Sequence, residues 1–274
     1  MKSLQILALV LLAAPCWSAP DGNNGHYAVV NGLRMYYETH GPATSTRPTL
    51  VLLHGGSSTI DLSFARVLPL LAADRRVIAI EQQGHGHTAD IDRPLSYAQM
   101  ADDTAALLGQ LRVGKVDCLG FSDGGNVALQ LAIRHADAVR KLVVAGASVR
   151  LDALKPDSIG FIKAATGETW PPPVKAAYMR VAPDPKHWDA FITKIKRLWL
   201  ETPDWPESQI KSIHAPVLLM YGDHDDIRLE HATLLQSLLV DSQLAVLPGT
   251  SHFLMVEQPT WVSTMASNFL DAGK

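Results

Sequence analysis

Gly120-Phe121-Ser122-Asp123-Gly124-Gly125 joins two segments of different hydrophobic period. It follows the apolar run Val116 to Leu119, which has the length of a buried strand, and it precedes Asn126 to His135, which has helical spacing. A chain that turns at once from strand to helix needs residues without Cβ on either side of the turning residue. Gly120 and Gly124 supply that clearance, and Gly125 lets helix and strand approach. Such a turn holds the Ser122 hydroxyl at the edge of a sheet. The first free N–H groups of the helix then point at whatever bonds to it. The competing reading of Ser122 is an ordinary helix cap.

The same alternation extends outward in both directions. Tyr27 to Val30, Asn31-Gly32 and Leu33 to Tyr37 read as a hairpin, because Asn-Gly suits the positive φ angles of a type I′ turn. Strands are expected at Thr49 to Leu53, Val77 to Ile80, Val139 to Ala145, Val217 to Tyr221 and Leu244 to Leu247. Helices are expected at Ile60 to Ala72, Ser96 to Leu111, Glu230 to Leu239 and Trp261 to Leu270, with Ser96 and Gln99 forming a capping-box pair. Short β-branched runs alternating with such helices mean βαβ units and a mostly parallel sheet covered on both faces. The rhythm breaks from about Gly146 to Ile213. That stretch holds Pro171-Pro172-Pro173 and four of the six tryptophans, at positions 170, 188, 199 and 205. It is expected to be a helical cap insertion lying over the C-terminal edge of the sheet, where open α/β sheets bind ligands.

Composition excludes several classes. Of 274 residues, 47% are hydrophobic and 19% charged, too apolar for disorder. A net charge of −3 and a pI near 6.4 are not those of a nucleic-acid binder. At the N-terminus, Lys2 precedes an apolar run, Leu4 to Ala14, broken only by Gln5 and ended by Pro15. The run is too short to span a bilayer and reads as a secretory signal peptide over residues 1–18. Export to a periplasm or medium is therefore expected, with no membrane attachment of the mature chain. Lipidation at Cys16 is disfavoured by Pro15. If Cys16 leaves with the signal, Cys118 has no disulfide partner and is expected to be a buried strand thiol.

A serine hydroxyl is a weak nucleophile near neutral pH and needs a base, itself oriented by a carboxylate. Both candidates follow expected strands. Gly222-Asp223-His224-Asp225-Asp226 comes after Val217 to Tyr221, and Gly249-Thr250-Ser251-His252-Phe253 after Leu244 to Leu247. Consecutive strand ends place both loops on the edge that carries Ser122. Spacing does not separate Asp223, Asp225 and Asp226 as the acid.

These motifs resemble those of the α/β-hydrolase superfamily from roughly Tyr27 to the C-terminus, least in the cap. The resemblance rests on His54-Gly55-Gly56 after a strand, the elbow Gly120 to Gly124, an acid third after a glycine, and Gly249-x-x-His252-Phe253. It selects Asp225 as the acid and His252 as the base. It implies an oxyanion hole from the amides of Gly56 and Asp123, with the missing side chain of Gly56 also opening the acyl pocket. It implies cleavage of a carboxylic ester through a Ser122-His252-Asp225 triad, with no metal or cofactor and a small-molecule ester as partner. Amidase, perhydrolase and carbon–carbon hydrolase activities use the same constellation, and a binding protein with little turnover is the alternative from another class. One departure stands out. Relatives carry basic residues where this chain has Gln82-Gln83-Gly84-His85-Gly86-His87-Thr88. His54, His85 and His87 are read as packing or turn residues.

Asp123 has two readings. The elbow resembles those of valacyclovir-hydrolase-like enzymes, in which the acidic residue after the nucleophile reads a substrate amino group. A carboxylate ~6 Å from a developing oxyanion repels it by ~3 kcal/mol at an effective dielectric of ~20. A helix N-terminus returns only ~0.3–1 kcal/mol, so a cationic substrate would offset the difference. The other reading turns Asp123 away to bond the helix start or a cap residue.

Overall fold

The computed structural model describes residues 24–202 and 204–273. The expected signal peptide lies outside them, as does Cys16. Strands β1 (Gly25–Val30) and β2 (Leu33–His40) form the expected hairpin, and Asn31 and Gly32 both take positive φ. Then follow β3 (Leu50–Leu53), α1 (Ile60–Phe64), α2 (Leu68–Leu71), β4 (Val77–Glu81), α3 (Tyr97–Leu111), β5 (Val116–Phe121), α4 (Asp123–Arg134) and β6 (Val139–Ala145). Beyond β6, the described residues before the next strand form α5 (Pro156–Ala164), α6 (Pro172–Val181), α7 (Trp188–Glu201) and α8 (Glu207–Lys211), with single 3₁₀ turns and an isolated bridge from Leu154 to Ile227. Strand β7 (Val217–Gly222), α9 (Leu229–Leu238), β8 (Ser242–Leu247), α10 (Leu254–Glu257) and α11 (Pro259–Asp271) complete the chain.

The eight strands lie in the order β1-β2-β4-β3-β5-β6-β7-β8. From β4 to β8 every neighbouring pair is parallel, and the hairpin adds the antiparallel edge. Period-2 alternation divides the core. Val51, Leu53, Cys118, Val144 and Leu219 face α3, α4 and α9, whereas Leu50, Leu52, Leu119, Val143 and Met220 face α1, α2 and α11. Cys118 is fully buried, and burial pushes its thiol up, out of the reactive range. None of the helices among the described residues is long and apolar enough to cross a membrane.

Two elements depart from the sequence expectation. The segment Ile60 to Ala72 is two short helices rather than one. Pro69 falls inside it; its ring would meet the carbonyl four residues back and it has no N–H to give. At α3, Ser96 caps the helix by accepting from the Gln99 N–H at 3.1 Å, but the Gln99 side chain reaches forward to Asp103 instead of back. Half of the capping box is therefore formed.

The turn from β5 to α4 is as tight as its glycines imply. A Cβ on Gly124 would stand 1.9 Å from the Leu53 carbonyl oxygen, and one on Gly120 would stand 2.2 Å from the Gly124 carbonyl oxygen. One on Gly125 would stand 2.9 Å from Ala147 Cβ and 3.2 Å from Val144 Cγ1, with the nearest backbone atom, the Gly120 carbonyl oxygen, at 3.4 Å. Gly124→Ala should cost more stability than Gly125→Ala in urea unfolding, by about 1–3 kcal/mol, because its overlap with a backbone oxygen is far deeper than the tight contact at Gly125. Equal losses would mean that the turn relaxes.

Candidate active site

Four strand ends converge on one edge of the sheet. The chain leaving β3 carries His54-Gly55-Gly56-Ser57, β5 leads into Ser122, β7 leads to Asp225, and β8 leads to His252. Ser122 stands at the N-cap position of α4 but its side chain makes no capping bond. Its backbone has φ 53° and ψ −120°, a conformation that costs on the order of 1–3 kcal/mol for a residue with Cβ. The hydroxyl instead lies 3.0 Å from His252 Nε2, and His252 Nδ1 lies 2.7 Å from Asp225 Oδ1. The helix-cap reading of Ser122 does not describe this turn.

The three aspartates of the β7 loop, equivalent by spacing, are separated by their bonds. Asp225 is buried and accepts from His252 and from the Ile227 N–H. Asp223 accepts from the Thr250 N–H and faces His224, while Asp226 accepts from the Ser158 hydroxyl. Burial opposes ionisation of Asp225, but the imidazole beside it prevails and holds the carboxyl below its usual range. Burial alone would likewise lower His252. Asp225 outweighs it, helped by Asp226 and Asp123, and His252 is pushed up to about 9. No group of residues suited to a metal ion occurs among the described residues.

The Gly56 and Asp123 backbone N–H groups have no acceptor among the described residues. Gly56 does not open a pocket as its missing side chain suggested. A Cβ there would stand 2.2 Å from Asp123 Oδ2 and 2.6 Å from Cζ2 of Trp199, so the space belongs to those two side chains. The Asp123 carboxylate is buried and accepts from the Tyr97 hydroxyl at 2.8 Å. It also accepts from the Trp199 indole, at 3.0 Å on Oδ1 and 2.8 Å on Oδ2. Burial raises its carboxyl, against the lowering effect of those two donors.

The histidines read as turn residues have defined partners. His54 Nε2 accepts from the Gln82 N–H at 3.1 Å, and His85 Nε2 accepts from the Ser57 N–H at 3.1 Å. Each gives its other ring nitrogen's proton to a carbonyl, Gly55 for His54 and Gln83 for His85. Burial lowers both, His85 to about 3, so both rings are neutral. His87 bonds buried Glu81 at 2.9 Å and stacks on Tyr36. Gln83, at a place where relatives are basic, holds the loop after it through Asp90, the Ile91 and Arg93 carbonyls and the Arg93 guanidinium. Ser57, Tyr97, Trp170 and Trp199 at this site were not singled out from sequence. Tryptophan content marked the insertion, but no spacing signal tied position 170 or 199 to the elbow.

The sequence pattern described as the alpha/beta hydrolase family matches residues 50–264, and the chain belongs to that family. The human protein named serine hydrolase BPHL is 25% identical over 255 residues, covering 88% of this chain and 84% of that protein. The 2-hydroxy-6-oxo-6-(2'-aminophenyl)hexa-2,4-dienoic acid hydrolase of Metapseudomonas resinovorans is 23% identical over 247 residues, covering 81% and 83%. Among solved structures, carboxylesterase CesB of Bacillus subtilis matches with a TM-score of 0.75 at 20% identity, over 93% of this chain and 94% of that one. That likeness is one of fold.

An NMR titration of the imidazoles should find His252 changing charge near pH 9 in the wild type and well below that in Asp225→Asn, where burial is left without its main opponent. The sign carries over to folding. A histidine raised above its ordinary 6.5 adds stability that is full below about that pH and lost as pH rises through about 9. An unchanged His252 titration in Asp225→Asn would remove Asp225 as its partner.

Proposed function

We propose that the protein is an exported serine hydrolase that cleaves a small carboxylic ester through an acyl-enzyme. The observation that carries this reading is the hydrogen-bonded run Ser122–His252–Asp225 beside two unengaged backbone amides. In this reading Ser122 Oγ bonds to the acyl carbon while Nε2 of the neutral form of His252, which grows as pH rises toward about 9, takes its proton. Asp225 keeps the other imidazole proton on Nδ1 and stabilises the imidazolium. The carbonyl oxygen becomes an oxyanion and is held by the Gly56 and Asp123 N–H groups. Its collapse breaks the bond to the alcohol oxygen, which receives the proton from Nε2. Water then repeats the sequence and releases the acid. The mature chain, residues 19–274, is one hydrolase domain with residues 146–213 as its cap.

A second reading is carbon–carbon hydrolysis, favoured by the name of the Metapseudomonas relative. An ester panel run beside a 2-hydroxy-6-oxo-dienoate separates the two. Fluorophosphonate labelling should mark Ser122 in either case. Ser122→Ala should lower kcat on the order of 10⁴-fold with the fold intact, and Asp225→Asn should cost far more than Asp223→Asn or Asp226→Asn. Ordinary turnover in Ser122→Ala, or the largest loss at Asp223, would overturn the assignment. Export predicts a mature N-terminus at residue 19 in the exported fraction.

Asp123 also supports a substrate preference. A carboxylate offers about four acceptor sites. Oδ1 takes two donors, whereas Oδ2 takes only the Trp199 indole and faces Gly56. A substrate ammonium group that reached this carboxylate would offset the burial that disfavours the anion. With a phenylalanine ester and its desamino analogue, Asp123→Asn should lose about tenfold or more in kcat/KM on the amino ester alone, a loss of roughly 1.4 kcal/mol. Parallel changes on both esters would leave the carboxylate with its cap-bonding role.

A further inference from the structure

The helical segment between β6 and β7 reaches the site through two indole N–H groups, and each one lands beside a different oxyanion donor. Trp170 Nε1 donates to Ser57 Oγ at 3.2 Å, and Ser57 follows Gly56 in the chain. Trp199 Nε1 donates to both carboxylate oxygens of Asp123, whose own backbone is the second donor. The two rings stack on each other, with centroids 5.7 Å apart and planes at 28°. The Trp199 ring also closes over Gly56. Two loops from different strand ends are thus joined through one aromatic pair that belongs to neither.

Ser57 is where the constraint concentrates. It is buried, and its φ of +50° lies in the left-handed region that a residue with Cβ disfavours. It is held there from two sides. The neutral His85 ring accepts its N–H, and Trp170 donates to its hydroxyl. Fixing that N–H fixes the peptide plane shared with Gly56, one unit from the Gly56 N–H. On the other loop, Trp199 and Tyr97 grip the first side chain of α4.

We propose that Trp170 and Trp199 are positioning residues for the oxyanion hole, so that seating of the helical segment sets the spacing of the Gly56 and Asp123 amides. This rests on the acyl-transfer reading of the site. Packing alone would need only the rings. Positioning needs the indole N–H groups: a phenylalanine removes them and keeps a smaller aromatic ring, and Ser57→Ala breaks the first bond with both indoles in place. Displacing an oxyanion donor by a fraction of an ångström weakens the transition state more than the bound ester, because the charge exists only in the former.

The test uses the full chain with Trp170→Phe, Ser57→Ala, their double variant and Trp199→Phe, each checked for cooperative thermal unfolding. On an activated aryl ester, each single variant should lose ~10–100-fold in kcat with KM within about twofold. Affinity for an aryl trifluoromethyl ketone, which forms an oxyanion on Ser122, should fall in parallel. Trp170→Phe and Ser57→Ala remove the same bond from its two ends, so the double variant should be no worse than the poorer single one. Independently of turnover, amide hydrogen exchange at residues 55–57 should quicken in Trp170→Phe, and at 123–124 in Trp199→Phe, with the sheet unchanged. Unchanged kcat in the single variants, or additive losses in the double, would overturn the proposal. If the wild type cleaves no ester and takes no fluorophosphonate, the acyl-transfer reading fails; quickened exchange then still supports the loop coupling, and unchanged exchange overturns it.

Discussion

The contact on which this structure depends is the approach of α4 to the end of β3, where the Gly124 backbone leaves no room for a Cβ against the Leu53 carbonyl. That approach lets the chain reverse direction within one residue. It places Ser122 in a conformation that is unfavourable for any residue with a side chain, and it puts Ser122 Cβ against Gly55 and the Asp123 carboxylate against Gly56. A one-residue turn of this kind can be held only where neighbouring strands and a helix over-determine it. The parallel sheet does so, because β5 lies at its centre between β3 and β6.

Electrostatics at the strand ends follows from the same burial. Several titratable groups were taken out of water, and the outcome differs with the partner each one found. His54 and His85 face backbone donors and carbonyls, so desolvation leaves them neutral and fit to accept an N–H. His252 faces a buried carboxylate and is pushed the other way, to about 9. Asp123 faces two neutral donors, and burial raises it. Imidazoles and carboxylates of ordinary intrinsic acidity are thereby sorted by their partners into groups held neutral and groups held charged.

The helical segment between β6 and β7 is bonded to this edge. Its tryptophans reach across to the loops below, and their stacking makes the position of one depend on the other. Hydrogen bonds to side chains as buried as Ser57 and Asp123 carry more weight than they would in water. Substrate choice and competence of the site would then be tied to one structural unit.

Much of this was legible in the sequence. Alternating apolar runs announced a parallel sheet because hydrophobic burial acts at periods 2 and 3.6, which local spacing displays. Glycines around Ser122, and the loops carrying Asp225 and His252 after two consecutive strands, announced the site because topology alone brings consecutive strand ends to one edge. Pro69 was equally visible, and it broke a helix that periodicity had extended through it. What spacing could not provide was the choice among Asp223, Asp225 and Asp226, the tenant of the space over Gly56, or the partners of His85, Trp170 and Trp199. Those depend on contacts between residues far apart in the chain, such as Ser57 with Trp170, and on directions of side chains that no periodicity encodes. Local sequence therefore determined which elements form and which edge they share, whereas only tertiary packing decided which polar groups at that edge meet. Hydrogen bonds are set by distances of tenths of an ångström, a precision that exists only once the core has closed.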